Sequence, residues 1–212
     1  MNKYKETFET WNSIASVYEE KFMDLDLYNE TYNVICESST RPNAKVLEIG
    51  CGPGNITRYL LSKRPDFDIL GTDISPNMIE LASKNNPLST FQVMDARDIS
   101  QLESRFDLIV CGFCLPYLSI AEAQKLIDDA SKMLNPDSSL YLSFVEGNPE
   151  NSGFKTSSAG RVYFQYHHLD TIINNLKSAG LSDILTFNVK YRRSETEFED
   201  HTIIIARKKS GV

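Results

Sequence analysis

Cysteine is scarce in this chain, which contains four thiols in 212 residues. They are too few and too dispersed for a disulfide framework, which fits a reducing compartment such as the cytoplasm. Cys111 and Cys114 form a C-x-x-C pair, but the sequence has no second cysteine pair to complete a structural zinc site. We therefore expect core and cleft-lining thiols and no metal centre.

Long apolar runs are also missing. No segment approaches the roughly 18 apolar residues that a membrane span requires, and residues 1–6 contain no hydrophobic signal region. We therefore expect a cytoplasmic protein with no membrane association. There is no internal repeat or clear linker, and the length suits one α/β domain, since domains usually contain about 100–200 residues.

Positive charge is scarce relative to negative charge, and the formal net charge is −7. Apart from Arg192, Arg193 and the tail at 207–209, the basic residues are scattered. A nucleic-acid-binding protein usually presents a concentrated basic face. This distribution therefore argues against a long nucleic acid as the substrate.

A glycine-rich segment after an apolar run dominates what the chain does contain. Residues 45–49 read Lys-Val-Leu-Glu-Ile, and Gly50, Gly52 and Gly54 follow at alternate positions. The pattern predicts a buried strand that turns sharply into a helix. Glycines at such a turn permit positive φ and let a ligand approach the main chain. Because the free N–H groups of the helix point to the same place, we predict a cofactor pocket here.

The glycine spacing differs from the dinucleotide fingerprint G-x-G-x-x-G, because Gly54 comes one residue too early. Glu48, two residues before Gly50, would repel a pyrophosphate at the end of the strand. The same carboxylate would attract a ligand that carries an ammonium and a sulfonium group. A nicotinamide-dependent reductase and an ordinary glycine-rich turn are therefore the weaker alternatives.

At residues 48–54 the chain resembles the class I S-adenosylmethionine-dependent methyltransferases, whose first motif is an acidic residue, a spacer and G-x-G-x-G. The resemblance implies an α/β fold of the Rossmann-like type, a three-layer αβα sandwich with an N-terminal helical cap. Its seven-stranded sheet would be mostly parallel, with an antiparallel C-terminal strand. We expect a single domain over 1–212, with the cap in 1–40, the cofactor-binding half in 44–146, and the substrate loop, last helix and C-terminal hairpin in 147–212.

Two further acidic residues follow the ends of later predicted strands. Asp73 ends the segment 68–73, about 20 residues past the glycines, where a carboxylate can accept hydrogen bonds from both ribose hydroxyls. Asp95 follows the predicted strand 90–94. The resemblance implies that Asp95 and Ala96 hold the adenine, with the carboxylate accepting from the exocyclic amine.

Residues 3–23 carry apolar side chains at spacings of three and four, which predicts an amphipathic helix interrupted near Asn12. In methyltransferases that resemble this chain, an N-terminal helix with a Trp-Asn-x-x-Ala-x-x-Tyr pattern closes over the cofactor. Trp11, Asn12, Ala15 and Tyr18 match that pattern. We assign Tyr18 to the pocket, whereas Trp11 could equally pack in the core.

The cofactor that the resemblance implies is S-adenosylmethionine. The residues that we expect to bind it come from the cap, the glycine turn and the ends of the first four strands. They are Tyr18, Glu48, Gly50, Cys51, Gly52, Gly54, Asp73, Ile74, Met78, Asp95, Ala96, Cys111 and Phe113.

No conspicuous catalytic triad is expected, because methyl transfer from a sulfonium is a displacement whose electrophile the cofactor supplies. Where many family members carry a histidine pair after the fourth strand, this chain has Pro116 and Tyr117. Candidates for a general base or a substrate contact are Tyr117, Glu146 and His167, and no single one is favoured. His167 has the most suitable intrinsic pKa, but a histidine before a helix is as often a cap or a surface residue.

Residues 147–160 are rich in glycine, serine, asparagine and proline. We predict a long loop here, such as a lid or substrate collar. A helix over about 169–179 should follow, then two strands over about 183–191 and 202–207 that form an antiparallel hairpin.

We hypothesise a methyltransferase that acts on a small or medium-sized acceptor. The chain lacks the Asn/Asp-Pro-Pro-aromatic segment of amino-methylating nucleic-acid enzymes and the Pro-Cys step of pyrimidine C5-methyltransferases, which argues against a base-flipping enzyme. Two alternatives stay open: a non-catalytic S-adenosylmethionine-binding regulatory or partner subunit, and a methyltransferase that acts on RNA or protein. The sequence favours no particular oligomeric state.

Overall fold

A computed structural model of the protein describes residues 3–157 and 160–210. The helices are α1 (Lys3–Ser13), α2 (Ala15–Phe22), α3 (Asn29–Ser38), α4 (Asn55–Lys63), α5 (Pro76–Asn85), α6 (Ile120–Met133) and α7 (Leu169–Ser178). The strands are β1 (Lys45–Ile49), β2 (Asp68–Asp73), β3 (Thr90–Val93), β4 (Phe106–Gly112), β5 (Leu134–Val145), β6 (Gly153–Ser157), β7 (Gly160–Phe164), β8 (Leu181–Arg192) and β9 (Phe198–Lys208). Short 3₁₀ turns cover 96–101, 115–117 and 149–151.

Within the described residues, the main sheet has seven strands in the order β3-β2-β1-β4-β5-β9-β8. Strands β1 to β5 pair in parallel, and β9 runs antiparallel to both β5 and β8. The order of the parallel strands reverses direction at β1 and β4, which is where open α/β sheets form a ligand crevice. The predicted fold, a mostly parallel seven-stranded sheet with an antiparallel C-terminal strand, is confirmed.

Apolar side chains cover both faces of the sheet. On one face, α6 and α7 pack their buried residues against Leu47, Ile49 and Ile109. On the other face, α3 and α4 pack against Val46 and Val110. Covering both faces explains why the central strands read as nearly continuous apolar runs rather than as alternating ones.

Local signals fix several helix boundaries. Ser75 caps α5 by accepting a hydrogen bond from the backbone N–H of Met78, and Pro76 occupies the first turn. Ser119 and Glu122 form a capping box at the start of α6. The predicted interruption of the N-terminal helix is confirmed, because α1 ends at Ser13 and α2 begins two residues later.

The prediction of one long loop over residues 147–160 is wrong. A 3₁₀ turn covers Pro149–Asn151, and Gly153–Ser157 pairs with Gly160–Phe164 as a two-stranded antiparallel ribbon. The polar composition misled the prediction because a ribbon with exposed positions needs few apolar residues on its outer face. Residues 158 and 159 of the predicted loop, and residues 1, 2, 211 and 212 of the predicted domain, lie outside the described residues.

Strand β5 begins at Leu134 and contains an irregular stretch near its start. Its pairing with β4 shifts register between Phe106 and Leu108, so that the stretch around Pro136 bulges out of the ladder. Among the helices of the described ranges, none combines the length and apolar character needed to cross a bilayer.

We expect Ile109→Ala to lower the free energy of unfolding by about 2–5 kcal/mol, because it opens a cavity in the centre of the sheet. Ile109 is fully buried on β4. Leu88→Ala is the matched control, since Leu88 is 96% exposed and should shift stability by less than about 0.5 kcal/mol. Urea denaturation of the two variants measures both values, and equal losses would contradict this placement of the core.

Candidate active site

The turn from β1 into α4 forms a tight elbow of main chain. Gly50 and Gly52 have φ angles of +69° and +52°, which side-chain-bearing residues rarely adopt. A Cβ placed on Gly50 would lie 3.0 Å from the Cβ of Cys114, so the neighbouring segment also requires glycine there. The positive φ angles and the packing against Cys114 therefore explain the glycines at this elbow, and both Gly50 and Gly52 line a cavity.

Two adjoining cavities meet at the elbow, at the carboxyl ends of β1, β2 and β4. The first, which we call the elbow pocket, has a volume of about 160 Å³. Its lining residues are Tyr4, Thr7, Phe8, Trp11, Tyr18, Gly50, Gly52, Asp73, Ile74, Met78, Met94, Asp95, Ala96, Arg97, Gly112, Phe113, Cys114, Tyr117 and Leu118.

The second cavity, which we call the aromatic chamber, has a volume of about 600 Å³. Its ring-bearing lining residues are Trp11, Tyr18, Phe22, Tyr28, Tyr32, Phe113, Tyr117, Phe164, Tyr166, Tyr191 and His201. Its charged lining residues are Lys21, Glu48, Lys155, Arg193 and Glu199. The elbow pocket and the aromatic chamber share Gly50, Gly52, Phe113 and Tyr117 among others, so they are separated by single side chains.

Asp73 lies at the end of β2 in the wall of the elbow pocket. Its carboxylate accepts hydrogen bonds from the backbone N–H of Gly52 at 3.0 Å and of Ser75 at 2.8 Å. Burial raises the pKa of Asp73, and the two backbone donors oppose that shift. The carboxylate is thus fixed against the elbow, and each oxygen keeps a second lone pair for a ligand.

Asp95 lies across the same pocket and is held by Arg97. The guanidinium donates to both carboxylate oxygens, with Nε at 2.9 Å from Oδ1 and Nη2 paired with Oδ2. Burial by itself raises the pKa of Asp95, but hydrogen bonds and charge from Arg97 outweigh it and hold the pKa below the usual value. Asp95 therefore stays ionised, and its oxygens retain capacity to accept from a ligand amine.

Glu48 is the buried carboxylate of the elbow and lines the aromatic chamber. The Thr57 hydroxyl donates to Oε2, whereas Oε1 is buried and has no hydrogen-bond partner among the described residues. Burial raises the pKa of Glu48 to about 8, although hydrogen bonds from Thr57 oppose the shift. An unpartnered buried carboxylate oxygen is costly, so this position suits a cationic ligand group that would pair with it.

Helix α1 roofs the elbow pocket with Tyr4, Phe8 and Trp11. At one end, Tyr4 donates a hydrogen bond to Glu122 of α6 and packs its ring under Arg97, 4.3 Å from the guanidinium carbon. The backbone N–H of Tyr163 on β7 donates to Thr7 Oγ1 at 2.9 Å. The roof is thereby tied to both α6 and the β6–β7 ribbon.

The other end of the roof is tied to α5. Asn12 Oδ1 accepts from the Ser75 hydroxyl at 2.8 Å, and Asn77 donates from its side chain to the Asn12 carbonyl at 2.7 Å. Trp11 and Tyr18, the aromatic residues of the predicted cap pattern, contact each other edge to face at 5.6 Å. Both lie in the walls of the two cavities.

Most of the predicted cofactor residues line a cavity. Tyr18, Gly50, Gly52, Asp73, Ile74, Met78, Asp95, Ala96 and Phe113 line the elbow pocket, while Glu48 and Cys51 line the aromatic chamber. Gly54 caps the start of α4 with a φ of +82°, and Cys111 is fully buried in β4. Neither Gly54 nor Cys111 lies in the wall of either cavity.

The three candidate catalytic residues lie in different parts of the structure. Tyr117 lies between the two cavities, with its ring 5.7 Å from Trp11. His167 is buried outside both cavities, with Nε2 at 2.9 Å from the carbonyl oxygen of Leu115, and burial lowers its pKa. Glu146 is exposed and accepts a hydrogen bond from Thr202. Of the three, only Tyr117 lines a cavity.

Several residues that line the two cavities were not predicted from the sequence. Tyr4 and Phe8 belong to the apolar stripe of α1, and periodicity alone does not distinguish a core side chain from a pocket wall. Arg97 follows a correctly predicted strand, but nothing in its neighbourhood signals the pairing with Asp95. Tyr28 and His201 come together in the chamber from positions 173 residues apart.

Comparison with known proteins agrees with this geometry. The family described as "Methyltransferase domain" matches residues 46–137, which run from β1 into β5. With the elbow, the strand order and the acidic strand ends, this match supports a methyltransferase domain of the class I S-adenosylmethionine-dependent type over residues 46–137.

Two curated relatives illustrate the sequence similarity. A protein of Invertebrate iridescent virus 6 that is named as a methyltransferase is 30% identical over 136 residues, covering 64% of this chain and 49% of its own length. The carboxy-S-adenosyl-L-methionine synthase of Citrobacter koseri is 31% identical over 147 residues, covering 64% and 55%. The chain thus spans about half the length of these relatives.

Two solved structures share the fold over nearly their whole length. Magnesium protoporphyrin IX methyltransferase from Synechocystis, solved with bound S-adenosylmethionine, superposes with a TM-score of 0.72 at 18% identity, covering 99% of this chain and 98% of its own. The N-methyltransferase NodS from Bradyrhizobium japonicum, solved with S-adenosylhomocysteine, gives 0.70 at 21% identity, covering 97% and 100%.

We expect Glu48→Gln to stabilise the ligand-free protein above pH 7 relative to wild type. The pKa of Glu48 is raised to about 8 in the folded state, so the folded state binds more protons than the unfolded chain and stability falls as pH rises from about 4.5 to about 8. Each pKa unit corresponds to about 1.4 kcal/mol, and the glutamine does not titrate.

Thermal unfolding between pH 5 and pH 9 measures this effect. The melting temperature of Glu48→Gln minus that of wild type should increase across this range. Glu80→Gln, at an exposed position on α5, should show a constant difference. A constant difference for Glu48→Gln as well would contradict the raised pKa.

Proposed function

We propose that this chain binds S-adenosylmethionine in the elbow pocket and transfers its methyl group to a small molecule held in the aromatic chamber. The observation that carries the proposal is the common wall of the two cavities, formed by the elbow glycines together with Phe113 and Tyr117. A ligand that fills the elbow pocket would present one end to the chamber at this wall.

The residues present suit the cofactor. Asp73 is fixed where it can accept from ribose hydroxyls, and Asp95 is fixed where it can accept from an adenine amine. The unpartnered Oε1 of Glu48 provides a counter-charge for an ammonium group. Gly50 and Gly52 both line the elbow pocket and present main chain to it.

The chain itself would position the acceptor and exclude water. The bound cofactor supplies an electrophilic methyl group on a sulfonium, so the protein needs no nucleophile of its own. Rings of Phe113 and Tyr117 at the common wall can stabilise a nearby positive charge through their faces. Residues of α1 line the elbow pocket, and exclusion of water by this roof would strengthen the electrostatic interactions inside.

A small acceptor fits the chamber better than a polymer. Its volume of about 600 Å³ lies within the range of about 300–1,000 Å³ typical of small-molecule sites. Many of its lining residues are aromatic, and the ribbon residues Lys155 and Phe164 border it on one side. Two similar structures, a magnesium protoporphyrin IX methyltransferase and an N-methyltransferase, are consistent with this class of substrate.

Labelled methyl transfer tests the proposal. Purified protein is incubated with S-adenosylmethionine tritiated on the methyl group and, separately, with the low-molecular-mass, protein and RNA fractions of a cell extract. We expect labelled product in the low-molecular-mass fraction. Label in the protein or RNA fraction alone would mean that the acceptor is a protein or an RNA and not a small molecule. Binding of S-adenosylhomocysteine without any labelled product would favour a non-catalytic subunit.

We expect Asp73→Asn to weaken S-adenosylhomocysteine binding by about 10–100-fold, because a hydrogen bond to a charged group contributes about 1.5–3 kcal/mol. Asp68→Asn is the matched control, since Asp68 is exposed at the opposite end of the same strand. Isothermal titration calorimetry measures both dissociation constants. Equal affinities for the two variants would contradict the assignment of Asp73 to the cofactor site.

A further inference from the structure

A series of polar side chains borders the aromatic chamber on the side of β9. The hydroxyl of Tyr28, at the start of α3, forms a hydrogen bond of 2.6 Å with Nδ1 of His201, and both residues are buried. Nε2 of His201 lies 3.5 Å from Oε2 of Glu199, within ion-pair distance, and has no hydrogen-bond partner among the described residues. Arg193 donates to the other oxygen of Glu199 at 2.9 Å. All four residues line the chamber.

The positions of the protons follow from this arrangement. Burial, with smaller contributions from neighbouring acidic groups, raises the pKa of Tyr28, so the phenol keeps its proton. Tyr28 then donates to Nδ1 of His201, and the ring proton of a neutral imidazole resides on Nε2, facing Glu199. A carboxylate, an imidazole and a hydroxyl in this order are the arrangement by which enzymes move a proton from a hydroxyl to a histidine.

The series lies one ring away from the elbow pocket. The centroid of Phe113 is 5.1 Å from that of Tyr28 and 4.8 Å from that of His201. Phe113 itself lines both cavities. An acceptor in the chamber that contacts Phe113 at the common wall would therefore lie within one ring of Tyr28 and His201.

We propose that Tyr28 takes the proton of the methyl acceptor, with His201 and Glu199 as the positioning residues behind it. This inference rests on the proposed function. The N–H or O–H bond of the acceptor breaks as its proton passes to Tyr28 Oη, while the phenol proton passes to Nδ1 of His201. The electron pair left on the acceptor atom forms the bond to the methyl carbon, and the pair of the broken carbon–sulfur bond stays on sulfur.

The charge of the resulting imidazolium is balanced by Glu199. After product release, the Nδ1 proton returns to Tyr28 Oη, and Tyr28 gives its extra proton to water. The series thus specifies the acceptor class: the attacking atom carries a proton that it must lose, as in a hydroxyl or an amine. A tertiary amine or a thioether has no such proton, so the series would not assist its methylation.

Other ionisable groups face this series from each neighbouring element. Tyr191 of β8 stacks on His201 at 4.9 Å with an angle of 9° between the rings. Tyr18 from α2 and Tyr141 from β5 act on Tyr28 through their charges when ionised, as Tyr191 also does. Beyond Glu199, Arg193 is the nearest cation in the series.

Nitrogen-15 NMR of the histidine rings tests the hydrogen bond without any acceptor. The chain has three histidines, so His201→Gln assigns the His201 signals. We expect the neutral ring of His201 to carry its proton on Nε2. We also expect the chemical shift of its Nδ1 to change in Tyr28→Phe. A proton on Nδ1, or no change in Tyr28→Phe, would overturn the proposal.

Turnover tests the chemical role. The probe is the low-molecular-mass fraction that wild type labels with tritiated methyl groups. We expect Tyr28→Phe and His201→Gln to lower kcat by about 100-fold or more, as is usual for loss of a general base. KM and the dissociation constant of S-adenosylhomocysteine should change by less than about threefold, because both variants preserve the shape of the chamber.

Comparing kcat with stability separates a chemical role from a structural one. In Tyr28→Phe and His201→Gln, kcat should fall while KM and the melting temperature stay near the wild-type values. A residue that only supports the fold would lower the melting temperature and change kcat and KM together, and that result would overturn the proposal.

Two matched controls lie outside the series. Tyr59→Phe removes a hydroxyl that bonds Asn33 at 2.8 Å, and His168→Gln replaces the exposed residue at the start of α7. Both should keep wild-type turnover, and losses equal to those of Tyr28→Phe would overturn the assignment. If wild type labels no acceptor while the NMR result is as expected, the proposed function is wrong, whereas the hydrogen bond between Tyr28 and His201 is confirmed.

Discussion

The structure depends on a buried carboxylate that the protein alone leaves half satisfied. Glu48 lies between Leu47 and Ile49 on β1, and β1 is flanked on both sides by other strands. Any side chain at this position loses its water, and within the part of the chain that the structure describes only one of the two carboxylate oxygens of Glu48 is hydrogen-bonded, to Thr57. A site that keeps such a group is organised for a cation supplied from outside.

The three carboxylates around the elbow are prepared in different ways. Burial raises the pKa of Glu48 and of Asp73, whereas Arg97 keeps that of Asp95 low. Asp73 is held by two backbone N–H groups, and Asp95 by a guanidinium. Glu48 can therefore ionise when a cation binds beside it, and Asp73 and Asp95 are fixed hydrogen-bond acceptors. The roof of α1 closes this arrangement by reaching across to Glu122.

Much of the fold could be predicted because its signals are local. The bounds of β2 agree with the predicted segment 68–73, because its apolar residues end at Asp73. The acidic strand ends were predictable for the same reason. The ribbon of β6 and β7 was missed because its polar residues are compatible with a loop.

The aromatic chamber could not be predicted, because it is assembled from distant segments. Tyr28 comes from the entry to α3, and His201 and Glu199 come from the last strand. Their contact depends on the antiparallel pairing of β5 with β9, which places His201 opposite Val145. No local pattern marks His201 as different from a core residue of that strand.

Proton release on ligand binding tests the central claim most directly. The titration of S-adenosylhomocysteine into the protein at pH 7, in two buffers of different ionisation enthalpy, measures the protons exchanged. With a pKa of about 8, Glu48 is mostly protonated in the free protein and ionises against the ligand's ammonium, so close to one proton per chain should be released. A heat of binding that is independent of the buffer would contradict the account.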